Sequence, residues 1–320
     1  MSRKKSKDSD SASKSENPWE LEHQIDKIEK HQENTADERV AGSLPSQQAR
    51  SGAEKLLTRT TSGIVYVLIT LVALALGSFA TTVLVAAEAW LCCSEYFRIC
   101  RMGGRMPNEY IGLAAAILLP LAAYVDGLLT MTIVIYILLI AVMIWFVITP
   151  RASLSDVAVT VFGPLYTSLS FSSLVLVRVE VGGWEGAVLV LGIMASIWLN
   201  DAAAYLVGSA LGRHKLAPSI SPNKTWEGCV GGIVVSVLIW VLLEVFFVSD
   251  LGLPLAFITG IVVGVASVVG DLFESRLKRG VGVKDSGNVM PGHGGLLDRS
   301  DSMLLGALAA YFMLRWGGIL

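Results

Sequence analysis

An all-α, polytopic integral membrane protein with about eight or nine transmembrane helices is the fold class that the sequence predicts. Three observations carry this. The 320 residues are 53% hydrophobic and only 16% charged, with a mean hydropathy of +0.60, outside the usual range for a soluble domain. From Gly63 onward, apolar runs of helix-spanning length recur. The basic residues between those runs are distributed unevenly.

The runs place spans near 62–77, 79–98, 109–124, 127–147, 156–178, 185–211, 228–248, 254–275 and 302–317. The stretch from Gly63 to Cys93 could instead form one long tilted helix, and this is why the count is eight or nine. With a cytoplasmic N-terminus, the inside loops carry Arg98, Arg101, Arg105, Arg151, Arg213, Lys215, Lys224, Arg276, Lys278, Arg279, Lys284 and Arg299. The outside carries only Arg178 and Arg315. Lys/Arg bias of this kind sets orientation, so the long polar segments are expected to face the cytoplasm from a multi-pass position in the cell membrane.

Residues 1–60 form a separate region, rich in Ser, Lys, Glu and Gln and poor in aromatic residues. A disordered cytoplasmic tail is the default for such a composition, with Trp19, Leu21, Ile25 and Ile28 spaced for a short surface helix. No apolar stretch follows a short basic start, so a cleaved secretory signal is not expected. Residues 61–320 then make the transmembrane domain. Cys92, Cys93, Cys100 and Cys229 have neither CxxC nor metal-ligand spacing and are expected as free thiols. The net charge of −2 names no partner by itself, and no nucleic-acid partner is expected. A homodimer is left open.

Three polar clusters interrupt the lipid-compatible pattern. In "WLNDAAAYLVG", 198–208, Asn200 and Asp201 lie deep in an apolar run, where an acid must be paired or face a wet cavity. Tyr205 and Gly208 follow Asp201 at i+4 and i+7, on the same helix face. In "RHKLAPSISPNKTWEG", 213–228, Pro218 and Pro222 forbid a regular helix through Ser219 and Ser221. Hydroxyls, Asn223, Lys215 and Lys224 then converge in a composition suited to phosphate oxygens. In the third cluster, Asp271, Glu274, Ser275 and Lys278 form an i, i+3, i+4, i+7 stripe of one helix. A long glycine-rich loop follows, in which Gly292, Gly294 and Gly295 let backbone amides approach an anion. Asp298 and Asp301 share a face of the turn that opens the last span. Carboxylates suit magnesium, which keeps waters and shares substrate phosphates; Asp301 or Ser302 could equally serve as a helix N-cap, and His293 as a loop hydrogen-bonding group.

The stretch "SRLKRGVGVKDSGNVMPGHGGLLDRSD", 275–301, resembles the signature of the phosphatidate cytidylyltransferase (CDP-diacylglycerol synthase) family. The matching residues are Ser275, Lys278–Arg279, Lys284–Asp285, Pro291, His293–Gly294–Gly295, Asp298–Arg299 and Asp301. Met290 and Ser300 stand where the family mostly has other aliphatic residues or Thr. "NDAAAYLVG" and "SPNKTWEG" also look like the family's segments, as does the acid–aromatic element "EAWLCCSEYFR", 88–98. The resemblance implies a magnesium-dependent transfer of the cytidylyl group of CTP to phosphatidate, giving CDP-diacylglycerol and pyrophosphate, with room for a second cation. It implies Asp201, Asp271, Asp298 and Asp301 as metal ligands or their neighbours. Asp271, Lys278, Arg279 and Asp298 would be catalytic. Asn200, Ser221, Asn223, Lys224, Ser275, Lys284, Asp285, His293, Gly294 and Arg299 would contact substrate. Two polyanions must meet in this reaction, so neutralisation and positioning matter more than a strong base. A CTP-dependent polyprenol or phytol kinase would need a base for a hydroxyl and fits 275–301 poorly. A membrane carrier would leave the interleaved basic residues unexplained.

Overall fold

The computed structural model describes residues 27, 45–248, 251–283, 285–287, 289 and 294–320. Lys284 and His293 lie outside the described residues, as does the helix expected around Trp19 to Ile28. The chain divides into two units, Met1–Ser51 and Gly52–Leu320. The second carries every feature discussed below except the first residues of the first helix.

Helix α1 spans Pro45–Leu76, so it starts ahead of the expected boundary at residue 60. The strong helix formers between Gln47 and Leu57 favour that extension. Gly77, at φ 112°, separates α1 from α2, Ser78–Met102. Gly63 to Cys93 is therefore two helices and not one. The Thr81 hydroxyl donates to the Ala73 and Gly77 carbonyls at 3.2 and 3.0 Å, satisfying acceptors that the end of α1 leaves open.

Helix α3, Glu109–Ile148, opens with Asn108 accepting from the Ile111 N–H and is broken at Asp126 and Gly127, the latter at φ 58°. It thus contains two of the expected spans. Ser153 and Asp156 form a reciprocal capping box at the start of α4, Leu154–Pro164. After Pro164 the chain makes a π-helical turn, Leu165–Leu169, and continues as α5, Ser170–Val181. The wider turn swings Tyr166 against Phe273, with ring centroids 4.9 Å apart, next to Glu274 in the third polar cluster.

Helix α6 runs Gly183–Leu211, α7 Trp226–Phe246, α8 Leu253–Gly280 and α9 Leu297–Trp316. Among the described residues, five apolar stretches are long enough to cross a membrane: α3, the α4–α5 run Leu154–Val181, α6, α7 and α8. The chain is a predominantly helical protein of membrane-spanning character, and every expected span falls on a helix. All four cysteines are free.

Residues 213–228 depart from the expectation of an irregular loop. Strands β1, Lys215–Ala217, and β2, Ser221–Thr225, pair antiparallel, with Lys215 opposite Thr225 and Ala217 opposite Ser221. Pro218 occupies the turn, and Pro222 sits at the edge of a two-stranded ribbon, where a missing N–H costs little. Thr225 then accepts the Gly228 N–H and starts α7.

Small residues bring the site's helices together. A Cβ on Gly228 of α7 would stand 2.5 Å from the Ala204 carbonyl of α6, and one on Gly232 would stand 2.7 Å from the Asn200 side-chain oxygen. Gly270 of α8 lies directly against the Asp301 carbonyl of α9. Such contacts let backbones approach where lipid supplies no hydrophobic drive.

Candidate active site

Helix α6 presents Asp201, Tyr205 and Gly208 on one face, and that face lines a cavity of about 560 Å³. The hairpin closes the cavity with Lys215, Asn223 and Lys224, and α8 contributes Asp271. The Lys224 ammonium lies 2.6 Å from Asp271 Oδ2, and the Ser275 hydroxyl donates to Oδ1 at 3.2 Å. A cation from the polar hairpin is thereby set against an acid from a membrane helix.

Asn200 is fully buried and turned away from the cavity, its side-chain oxygen packed toward Gly232 and Gly264. Its Nδ2 donates to Asp201 Oδ1 at 3.4 Å, so it orients the acid from behind. Asp301 is also buried. Its Oδ1 accepts the Ser302 N–H at 2.7 Å, and it is close enough to Asp201, Asp271 and Glu274 to feel their charges.

A second cluster lies further along the α8 stripe. Lys278 Nζ stands 2.5 Å from both Glu274 Oε2 and Asp298 Oδ1. Asp298 Oδ2 accepts the Ser286 and Gly295 N–H groups at 2.8 and 2.9 Å. Burial by itself would raise the Asp298 carboxyl, but the Lys278 ammonium and these two donors outweigh it and hold the group below the usual aspartate value. Gly294, at φ 86°, makes the turn that aims the Gly295 amide, and few other residues adopt that backbone. Arg279 donates to the Val283 carbonyl at 3.3 Å.

Of the acids expected at a metal, Asp201 and Asp271 share the cavity wall. Asp301 sits behind them, and Asp298 has both oxygens engaged by Lys278 and backbone amides. Among the described residues, no three His, Cys, Asp or Glu side chains are grouped to hold a metal ion. Asn223 and Lys224 line the cavity, but Ser221, at the far end of β2, does not. Asp285 and Arg299 are exposed around the loop and the α9 N-terminus.

Helix α9 begins at Leu297, so neither Asp301 nor Ser302 is its N-cap. The first amides are met from a distant part of the chain: Glu95 of α2 accepts the Leu296 and Leu297 N–H groups at 3.0 and 2.7 Å. The Ser286 hydroxyl donates to the same carboxylate at 3.0 Å. Sequence reasoning marked Glu95 only as part of an acid–aromatic element. About two hundred residues separate it from its partners, and no local spacing rule spans that distance.

Residues 57–316 match the model of the cytidylyltransferase family. The chain belongs to the cytidylyltransferase family. Among its cytidylyltransferase relatives, it is similar to the phosphatidate cytidylyltransferase of Bacillus subtilis, with 32% identity over 269 residues, 82% of this chain and 97% of that one. It is also similar to the phosphatidate cytidylyltransferase of Staphylococcus saprophyticus, 40% identical over 154 residues, 48% of this chain and 57% of the relative. The Mycobacterium bovis protein of the same name is 35% identical over 168 residues, covering 52% and 53% of the two chains. The matched region thus spans little more than half the length of the last two relatives.

Proposed function

We propose that this chain transfers the cytidylyl group of CTP to phosphatidate, forming CDP-diacylglycerol and releasing pyrophosphate. The observation that carries the reading is the Lys224–Asp271 pair at 2.6 Å on the wall of a cavity that Asp201 also lines. Membrane helices and a basic, water-facing hairpin meet there, which suits one lipid-borne and one water-borne anion. The names of the Bacillus, Staphylococcus and Mycobacterium relatives support the same reaction.

In this reading a phosphate oxygen of the lipid attacks the α-phosphorus of CTP. The bond to the bridging oxygen of the β-phosphate breaks, and pyrophosphate leaves with that electron pair. The nucleophile is already anionic at neutral pH, so no side chain has to remove a proton. Lys215 and Lys224 offset the charge of the assembled phosphates, and Asn223 offers an amide for orientation. Asp201 and Asp271 would hold a magnesium ion, since both line the cavity and the ion would take the place of the Lys224 ammonium against Asp271. Bound there, magnesium would stabilise charge on the transferring phosphoryl group. Asp298 and Lys278 are assigned to holding the loop.

The test is isotopic. With membranes, magnesium and phosphatidate, CTP labelled at the α-phosphorus should place label in lipid, and CTP labelled at the γ-phosphorus only in pyrophosphate. Chelation should stop the transfer and added magnesium restore it. γ-Label in the lipid fraction would instead identify a lipid kinase.

We also propose nine membrane crossings, counting α3 and the α4–α5 run as two and one, with the cavity on the cytoplasmic side. The Lys/Arg asymmetry supports this. In a cysteine-free background, a cysteine at exposed Trp184 should react with an impermeant reagent from outside, and one at Arg213 should not. The opposite pattern would place the cavity outside.

A further inference from the structure

Resting on the reading of the reaction above, we propose that Glu95 is a positioning residue: from α2 it fixes the helix end that carries Asp298 and, behind the cavity acids, Asp301. Glu95 is 4% exposed, and its carboxylate is met by the Leu296 N–H, the Leu297 N–H and the Ser286 hydroxyl. A carboxylate is costly to bury, and these three donors, two of them at the positive end of α9, are what hold it.

Ser286, Gly287 and Gly295 pack closely around this side chain. A Cβ on Gly287 would stand 2.5 Å from Glu95 Oε1, and one on Gly295 would stand 2.5 Å from Oε2. Ser286 supplies its hydroxyl to Glu95 and its N–H to Asp298. Gly295 likewise packs on Glu95 while its N–H goes to Asp298. The same two residues therefore read both acids, and displacing Glu95 displaces the donors that set Asp298 and, through it, Lys278. Asp301 follows on the same helix, with its backbone carbonyl against Gly270 of α8.

Glu95→Gln keeps the size but replaces one acceptor oxygen with an NH2 group, leaving at least one backbone N–H facing another donor. Amide exchange at Leu296 and Leu297 should accelerate about tenfold or more. The kcat for CDP-diacylglycerol formation should fall about a hundredfold, with KM for CTP within about twofold, since misplacement costs rate more than binding. Ser286→Ala removes one donor of three and should shift exchange and kcat in the same directions by less, so the test survives a Glu95→Gln protein that does not fold. Unchanged exchange in both variants overturns the proposal, as does faster exchange with wild-type kcat. If the unaltered protein forms no CDP-diacylglycerol, the reading of the reaction fails, and the exchange measurement still decides whether Glu95 holds the loop.

Discussion

Asp271→Asn should lower CDP-diacylglycerol formation by about two orders of magnitude or more while leaving the protein folded. The two halves of that expectation have different physical sources. The Lys224 and Asp271 side chains are 24% and 28% exposed, so solvent screens the pair and its contribution to stability is at most about 1 kcal/mol. The melting temperature in detergent should hardly move. In the proposed reaction the same carboxylate would hold magnesium against the phosphates, and its loss would remove several kcal/mol of charge stabilisation in the transition state, about a hundredfold or more in kcat. Turnover and thermal unfolding measured on one preparation separate the two effects. Near-normal turnover would remove Asp271 from the reaction.

Lys278→Met should act in the opposite sense, through folding first. The Glu274 side chain is fully buried, that of Asp298 is 5% exposed, and the ammonium between them is 11% exposed. Without that cation two buried acids lose the charge that lies between them, and breaking a buried pair from one side costs about 3–5 kcal/mol. The monodisperse fraction in detergent should fall sharply, together with the melting temperature. Adding Glu274→Leu should recover part of the loss, because Asp298 keeps its two backbone donors whereas Glu274 would no longer need one. A Lys278→Met protein as stable as wild type would mean that the pair contributes nothing to the fold.

The helices were legible because apolar length and glycine breaks are local properties of the chain. Gly77 and Gly127 mark turns that hydropathy alone leaves ambiguous, and their positive φ angles settle the division. The Asp201–Tyr205–Gly208 and Asp271–Glu274–Ser275–Lys278 stripes were legible too, since helical periodicity fixes which residues share a face. Partners were not. Nothing in the spacing says that Lys224 meets Asp271, that Lys278 turns toward Asp298, or that Asn200 points into the packing behind Asp201. The hairpin was hidden because its two prolines read as helix breakers and its strands are too short for an alternating pattern. Glu95 was hidden by distance along the chain.

The closeness of α6 and α7 has a mechanical consequence. Gly208 and Gly228 leave no gap between the two backbones, and Gly232 seats the Asn200 amide in the same seam. Leverage applied to one helix is passed to the other, so this pair behaves as a single stiff beam and the cavity cannot be widened by prying it apart. Across the cavity from that beam stands the β1–β2 ribbon, tied at its base where His214 Nδ1 lies 2.6 Å from Glu227 Oε1.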